Sequence, residues 1–471
     1  MRKNGFFRNF VGVMVTAVTI SQCQSGQLVG AAEIQPETVA VESFEMAEEM
    51  GQNAGVNWAT PWDADEVEEN AGRDEVRDTD QKIATPGDAE IDNDIVDEKD
   101  GMEDLERTSL SLAAGDLWED WNGEMDFPGD GTKEAPYQIS TLSQLMGLSQ
   151  AVAEGTSFAG AYLELEADLD LGSIETNQGN WNPIGWYRNR TELGGKVKTP
   201  FRGHFDGAGH TISGLKIINL SDSLGNVGLF GVIDGGSVEH LVVEADDIYG
   251  EGDAGVLAGT VTGGSRIYDV TVSGYVNSKG DIGGIAGTIL GGTENVVIEN
   301  CRAEGIVLNG RGSGGFTGGI GGNVQKANLV DNTVITQDGD ANRIRGLGYV
   351  GGIVGRMNQA NLYNSYVSGT IGGNGSLAVG GFAGKYESGN LILARFAGDI
   401  SRTNQGSAAH EGTFVGTRES RNQFTYGTEK HNHLSYLFTT SGAKARRVFG
   451  SNIDGDNTYT KEAHIGYWTD N

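Results

Sequence analysis

Cysteine is nearly missing: Cys23 and Cys301 are the whole complement of a 471-residue chain. A disulfide framework is therefore excluded as the source of stability. Proline is scarce as well, with 7 residues and none after Pro200. More than half the chain thus lacks the residue that removes a donor from a strand ladder. Positive charge is short, since 33 Lys and Arg face 65 Asp and Glu for a net charge of −32. Phosphate recognition needs clustered basic side chains, so nucleic acid is excluded as the expected partner.

Two catalytic signatures are also missing. Zinc peptidase chemistry needs two histidines one helical turn apart with a general base. The nearest string, His410-Glu-Gly-Thr-Phe414, has no second histidine and sits among glycines. Glycine-rich loops abound, yet none continues as Gly-Lys-Ser or Gly-Lys-Thr, so no phosphate-binding loop is present.

What is abundant is glycine, 75 residues, much of it in one recurring element. It reads Gly228-Leu-Phe-Gly231, Gly255-Val-Leu-Ala-Gly259, Gly283-Gly-Ile-Ala-Gly287, Gly318-Gly-Ile-Gly-Gly322, Gly351-Gly-Ile-Val-Gly355, Gly380-Gly-Phe-Ala-Gly384 and Gly412-Thr-Phe-Val-Gly416. Between these, apolar positions fall into columns. Ile212, Val238, Ile267, Ile298, Leu329, Leu362 and Leu391 form the first, at spacings of 26 to 33 residues. Leu215, Leu241, Val270, Cys301, Asn332, Ser365 and Ala394 form the second, and Ile217, Val243, Val272, Ala303, Val334, Val367 and Phe396 the third. A period of this length marks a stacked architecture. The entries are β-branched or small and alternate with polar residues, which suits strands. No unit closes a core alone, so each must stack on its neighbours.

Two residues after the first column stand Gly214, His240, Asp269, Asn300, Asp331, Asn364 and Leu393. Asp and Asn tolerate left-handed backbone and bond their own chain, so this position is expected to be a corner. The fold class expected is all-β: a parallel β-helix (solenoid) of about eight coils at roughly 4.8 Å each.

The motif Gly351–Gly355 followed by Asn361-Leu-Tyr-Asn-Ser-Tyr-Val-Ser-Gly369 resembles the GLUG repeat of bacterial surface proteins. Pro200–Leu215 resembles the lead-in to those repeats, and Tyr137–Leu145, Asp168–Leu171 and Trp181–Gly185 resemble the family's opening. The resemblance implies a right-handed β-helix on a secreted or surface-attached protein. It is also similar to the region that precedes IgA-protease-like metallopeptidase domains, without the peptidase. It carries no catalytic residue onto this chain.

The expected organisation follows. Residues 1–32 read as a secretory signal peptide, with basic Met1–Arg8, apolar Phe10–Ile20 and small Gly30-Ala-Ala32; no membrane span is expected after its removal. Residues 33–114 are an acidic linker expected to be disordered. Glu33–Leu110 holds 25 acidic and 5 basic residues without hydrophobic periodicity and cannot offset its ordering entropy. Residues 115–215 are the N-terminal cap and first coils, where Ser140-Thr141-Leu-Ser-Gln144 has the form of a capping box opening one short helix. Trp181 and Trp186 are expected to pack in that cap. Residues 216–416 hold the repeats and 417–471 a C-terminal coil or cap. In the last segment, Asn452–Glu462 is read as an Asx-rich turn, since the sixth position of a calcium loop is Asn here instead of Gly. Cys301 falls in an inward column and is expected to be a buried structural thiol.

Two polar sets are the enzyme candidates: Glu239, Glu244, Asp269 and Glu299 on adjacent rungs, and Asp168, Asp170, His204, Asp206 and His210 near the N-terminal end. The plainer reading is a solvated face for the first and turn-forming residues for the second. No catalytic, cofactor or metal residue is therefore assigned. The expected role is non-catalytic binding, adhesion or structure outside the cell, with an extracellular protein or glycan as partner. The alternative is a polysaccharide lyase or hydrolase.

Overall fold

The computed structural model describes residues 57–58, 123–174, 180–190, 195–218, 225–336, 344–372, 376–401, 410–418, 434–440 and 465–468. The expected signal peptide, nearly all of the acidic linker, and Asn452–Glu462 lie outside them. One piece of the linker, Asn57–Trp58, pairs antiparallel with Ile465–Trp468.

The parallel β-helix is borne out, and the coil at Tyr349–Gly372 shows how one repeat builds it. Four short strands follow one another: Tyr349–Gly351, Val354–Asn358, Ala360–Tyr363 and Tyr366–Gly372. Each pairs in parallel with its counterpart one repeat earlier and one later. The first and second legs stack into two seven-stranded sheets, and the third and fourth belong to an 18-stranded one. Six coils, ending with the strand Gly389–Ser401, have strands on all four legs, and a seventh follows in His410–Gly412, Val415–Arg418 and Leu434–Thr440, the last pairing with both legs of Gly389–Ser401. This is fewer than the eight expected. Among the described residues, the lead-in Trp181–Phe201 pairs with the second-leg sheet through isolated bridges, Ile184 to Phe230 and Phe201 to Ile233.

Corners are set where Asx residues recur. His240, Asp269, Asn300, Asp331, Asn364 and Leu393 all take left-handed backbone, with φ between 46° and 57°. Val238, Ile267, Ile298, Leu329, Leu362 and Leu391 pair in register one behind the other and are all 0% exposed. The inward small column also holds: Cys301, Asn332, Ser365 and Ala394 are buried. Asn332 is tolerated inside because its amide donates to the Ile298 carbonyl and accepts from the Cys301 amide, both at 3.0 Å. Burial pushes the Cys301 thiol up to about 12, so it is inert.

The first member of each column needs correction. Val238 pairs with Phe205, whereas Ile212 pairs with Val243, Leu215 with Ala245 and Ile217 with Ile248. Seven residues separate Phe205 from Ile212, but five separate Val238 from Val243. The corner Gly207–His210 absorbs the two extra residues, with Ala208 and Gly209 both at positive φ.

Parallel pairing begins earlier than the repeats, at Tyr137–Ile139 against Tyr162–Leu165. Helix α1 (Leu142–Ala153) fills the connection between these strands. Thr141 caps it in the expected capping box with Gln144, and its Leu145, Leu148 and Val152 join the continuous core. Trp181 is 1% exposed and donates to the Leu229 carbonyl at 2.9 Å. No described helix is long and apolar enough to cross a membrane.

Candidate functional site

Side chains that point outward from a parallel β-helix form files, one residue per coil. On the third leg one file runs Glu164, Asp206, Glu239, Tyr268, Glu299, and the file beside it runs Tyr162, His204, Ser237, Arg266, Val297. Arg266 reaches across its neighbours. Its Nη2 is 2.9 Å from Glu299 Oε2, its Nη1 3.6 Å from Glu239 Oε2, and its guanidinium lies 4.3 Å over the Tyr268 ring. The first carboxylate set is thus partly neutralised by one arginine, while Asp269 accepts from Asn300 Nδ2 at 2.8 Å. Glu244 stands apart on the fourth leg, opposite Ser273.

The second set does not converge on one point. Asp168 accepts from the Thr211 amide and pairs with His210 Nδ1 at 3.1 Å; these bonds hold its carboxyl below the usual range. Asp170 caps a 3₁₀ turn by accepting from the Gly172 amide. Asp206 lies 3.0 Å from His240 Nδ1 and accepts from the Ala208 amide at 2.8 Å. Its donor atoms and those of Glu239 and His240 all fall within 4.8 Å of one another. His204 stacks on Tyr162 at 4.6 Å, and its Nδ1 is 2.9 Å from Ser237 Oγ.

That serine–histidine contact was missed from sequence. The two residues are 33 apart and meet only because Ser237 pairs directly with His204 across rungs. The one signal available was the Phe205 register, which the extra corner residues hid. Serine activation also calls for an imidazole oriented by a third group and an oxyanion-binding pair. Here the ring nitrogen nearest the serine is Nδ1, and the ring is held by stacking on Tyr162.

A second outward strip lies where the first and second legs meet at the glycine element. One file reads Asn226, Asp253, Asp281, Phe316, Tyr349, and its companion reads Thr260, Thr288, Asn323, Arg356, Lys385. Phe316 and Tyr349 stack at 5.4 Å and 25°, with Arg356 5.7 Å from the Phe316 ring centre and Lys385 5.9 Å from that of Tyr349. Glu387, 6% exposed, gathers both cations: its oxygens lie 2.8 and 2.7 Å from Arg356 and 2.6 Å from Lys385 Nζ.

At the other end of the strip, burial pushes the Asp281 carboxyl up to about 6, helped by the neighbouring Asp253 and opposed by hydrogen bonds from the Phe316 amide and Asn323. An acid whose folded value is raised contributes stability that is complete below about pH 4 and is lost as pH rises through about 6. Asp281→Asn is therefore expected to raise stability at pH 7.5, on the order of 2 kcal/mol, and to leave it unchanged at pH 4. Thermal melts of both proteins at the two pH values check this; an equal effect at both would refute it.

Beside α1, a cleft of about 200 Å³ is lined by Val152, Gly155, Ser157, Thr199, Pro200 and Arg202. It is smaller than the roughly 300–1,000 Å³ of ligand pockets.

No family model matches this chain, so the GLUG resemblance rests on its residues alone. A protein of Evansella cellulosilytica named as a Gly-rich membrane protein is 38% identical over 127 residues, 26% of this chain and 13% of that one. Halomucin of Haloquadratum walsbyi is 32% identical over 137 residues, 28% of this chain and 1% of its own. The chain thus spans a small fraction of both curated relatives. Among solved structures, one from Bacteroides ovatus named as an immunoglobulin A1 protease is 20% identical, with a TM-score of 0.46 over 62% of this chain and 86% of that one. Another, named IgA1 protease, is 18% identical, with a TM-score of 0.39 over 69% of this chain and 21% of its own.

Proposed function

We propose that this chain is a secreted or cell-surface repeat protein with a non-catalytic role, in which its outward files bind an extended extracellular polymer, glycan or protein. One observation carries the reading. Outward polar residues engage their own counterparts one coil away, as in Asn328, Asn361 and Asn390, whose amides bond in series at 2.8 Å. Such files form a long, rigid surface repeating at the rung spacing, which suits a ligand that is itself periodic. The stacked Phe316 and Tyr349, half-buried and flanked by Arg356 and Lys385, offer apolar and charged contact on the same strip. The surface-type names of the partial relatives agree with this location.

The experiment is a panel of immobilised glycans and extracellular proteins, scored at once for retention of the purified chain and for release of product. Retention without product is expected, and Tyr349→Ala should weaken it. A polysaccharide-cleaving role is the second reading, favoured by the imidazole contacts of Asp168, Asp206 and Ser237. Product release abolished by Asp206→Ala or Ser237→Ala in folded protein would establish it instead.

A further inference from the structure

We propose that Asp206, Glu239 and His240 bind a first-row divalent cation of the zinc type. The site would clasp the last irregular rung of the lead-in to the first regular coil. The three side chains bring one nitrogen and two carboxylate oxygens within 4.8 Å of one another. The closest pair, His240 Nδ1 and Asp206 Oδ1, is 3.0 Å apart. Two ligands on a tetrahedral metal with bonds of about 2.1 Å stand about 3.4 Å apart, so this pair needs to open by only about 0.4 Å to flank an ion. Glu239 closes the set by a side-chain rotation, and all three residues are part-exposed, which leaves room for it.

Two features outside the cluster's own bonds point the same way. The first is charge. Glu164, Asp206 and Glu239 stand directly opposite one another on three successive rungs. Like charges in register oppose strand pairing, and Arg266, which reaches Glu239 at 3.6 Å, lies closer to Glu299 at 2.9 Å. The second is the break in the repeat. The corner that carries Asp269, Asn300, Asp331 and Asn364 carries histidine at this rung, with the same left-handed backbone, φ 51°. That backbone aims the ring back at Asp206. The ring edge meets Tyr268 at 5.6 Å and 87°, which fixes the plane. The Ala208 amide donates to Asp206 Oδ1 at 2.8 Å and orients that carboxylate, as supporting bonds do around metal ligands.

The donor set selects the class of ion. Imidazole with two carboxylates suits zinc and its first-row neighbours, whereas calcium takes six to eight oxygens. Three protein ligands leave coordination positions for water or for a group on a bound polymer.

The test is zinc titration of the metal-stripped full-length chain against a chromophoric chelator, with calcium as control, beside His240→Asn and Glu239→Gln. Asparagine is the residue the same corner carries at other rungs, so the first variant keeps the fold, verified by circular dichroism. The wild-type chain is expected to bind one more zinc than His240→Asn, or to bind it at least about tenfold more tightly. Its melting temperature should rise with zinc where the variant's does not. Glu239→Gln supplies the same comparison without touching the corner. Equal zinc uptake and equal melting shifts in wild type and both variants would overturn the site. Displacement of zinc by an equal concentration of calcium would overturn its assignment to zinc-type chemistry.

Discussion

Leu362→Asp is expected to destabilise the β-helix by roughly 3 kcal/mol or more. Leu362 is 0% exposed and lies between Leu329 and Leu391, which pair with it in register and are equally buried. A carboxylate there has apolar neighbours one rung away on each side and no partner for its charge. In a stack, each coil is stabilised mainly by the two it touches, so the damage spreads to the coils on either side. Leu362→Ile, which keeps volume, should cost less than about 1.5 kcal/mol. Chemical denaturation followed by circular dichroism reads both. A soluble Leu362→Asp chain with unchanged melting would show that this column does not face the interior.

Gly352→Ala should be the second large effect, about 1–3 kcal/mol, from crowding alone. A methyl group on Gly352 would fall against the carbonyl oxygen of Gly381 on the next coil, and within 2.8 Å of Val367 Cγ1. Backbone cannot step aside there without opening the rung spacing. The same holds one coil back, where a methyl on Gly319 would meet the carbonyl of Gly352. Glycine recurs at this place for close approach, since neither residue has positive φ. Gly292 is the control: nothing lies within 4 Å of its would-be Cβ, and Gly292→Ala should stay within about 0.5 kcal/mol of wild type. Equal melting of the two variants would refute the packing account of the repeat.

Much of this was legible in the sequence because a stacked fold writes its geometry into each repeat. The columns from Val238 to Leu391, the Asx corners at Asp269 through Asn364, the capping box at Thr141 and the burial of Cys301 were all readable from residue type and period. The lead-in was less so. Two additional residues at Gly207–His210 shifted Ile212, Leu215 and Ile217 out of the columns to which periodicity assigned them. That shift is also what hid the candidate sites. Ser237 beside His204, and Glu239 with His240 beside Asp206, are contacts across rungs whose partners follow only from the true register. The strip of Asp281, Phe316 and Arg356 was hidden for another reason. Its two files lie on different legs, and their approach depends on the tight turn at the glycines, which a column of apolar residues does not report.

The outward files are proposed to bind without catalysing, and the panel of immobilised glycans and extracellular proteins decides between the two. Retention of the purified chain on at least one extended polymer is expected, weakened by Tyr349→Ala, with no product released on any. Release of product from pectin-, alginate- or mucin-type glycans, abolished by Asp206→Ala or Ser237→Ala in a chain that still melts like wild type, would contradict it.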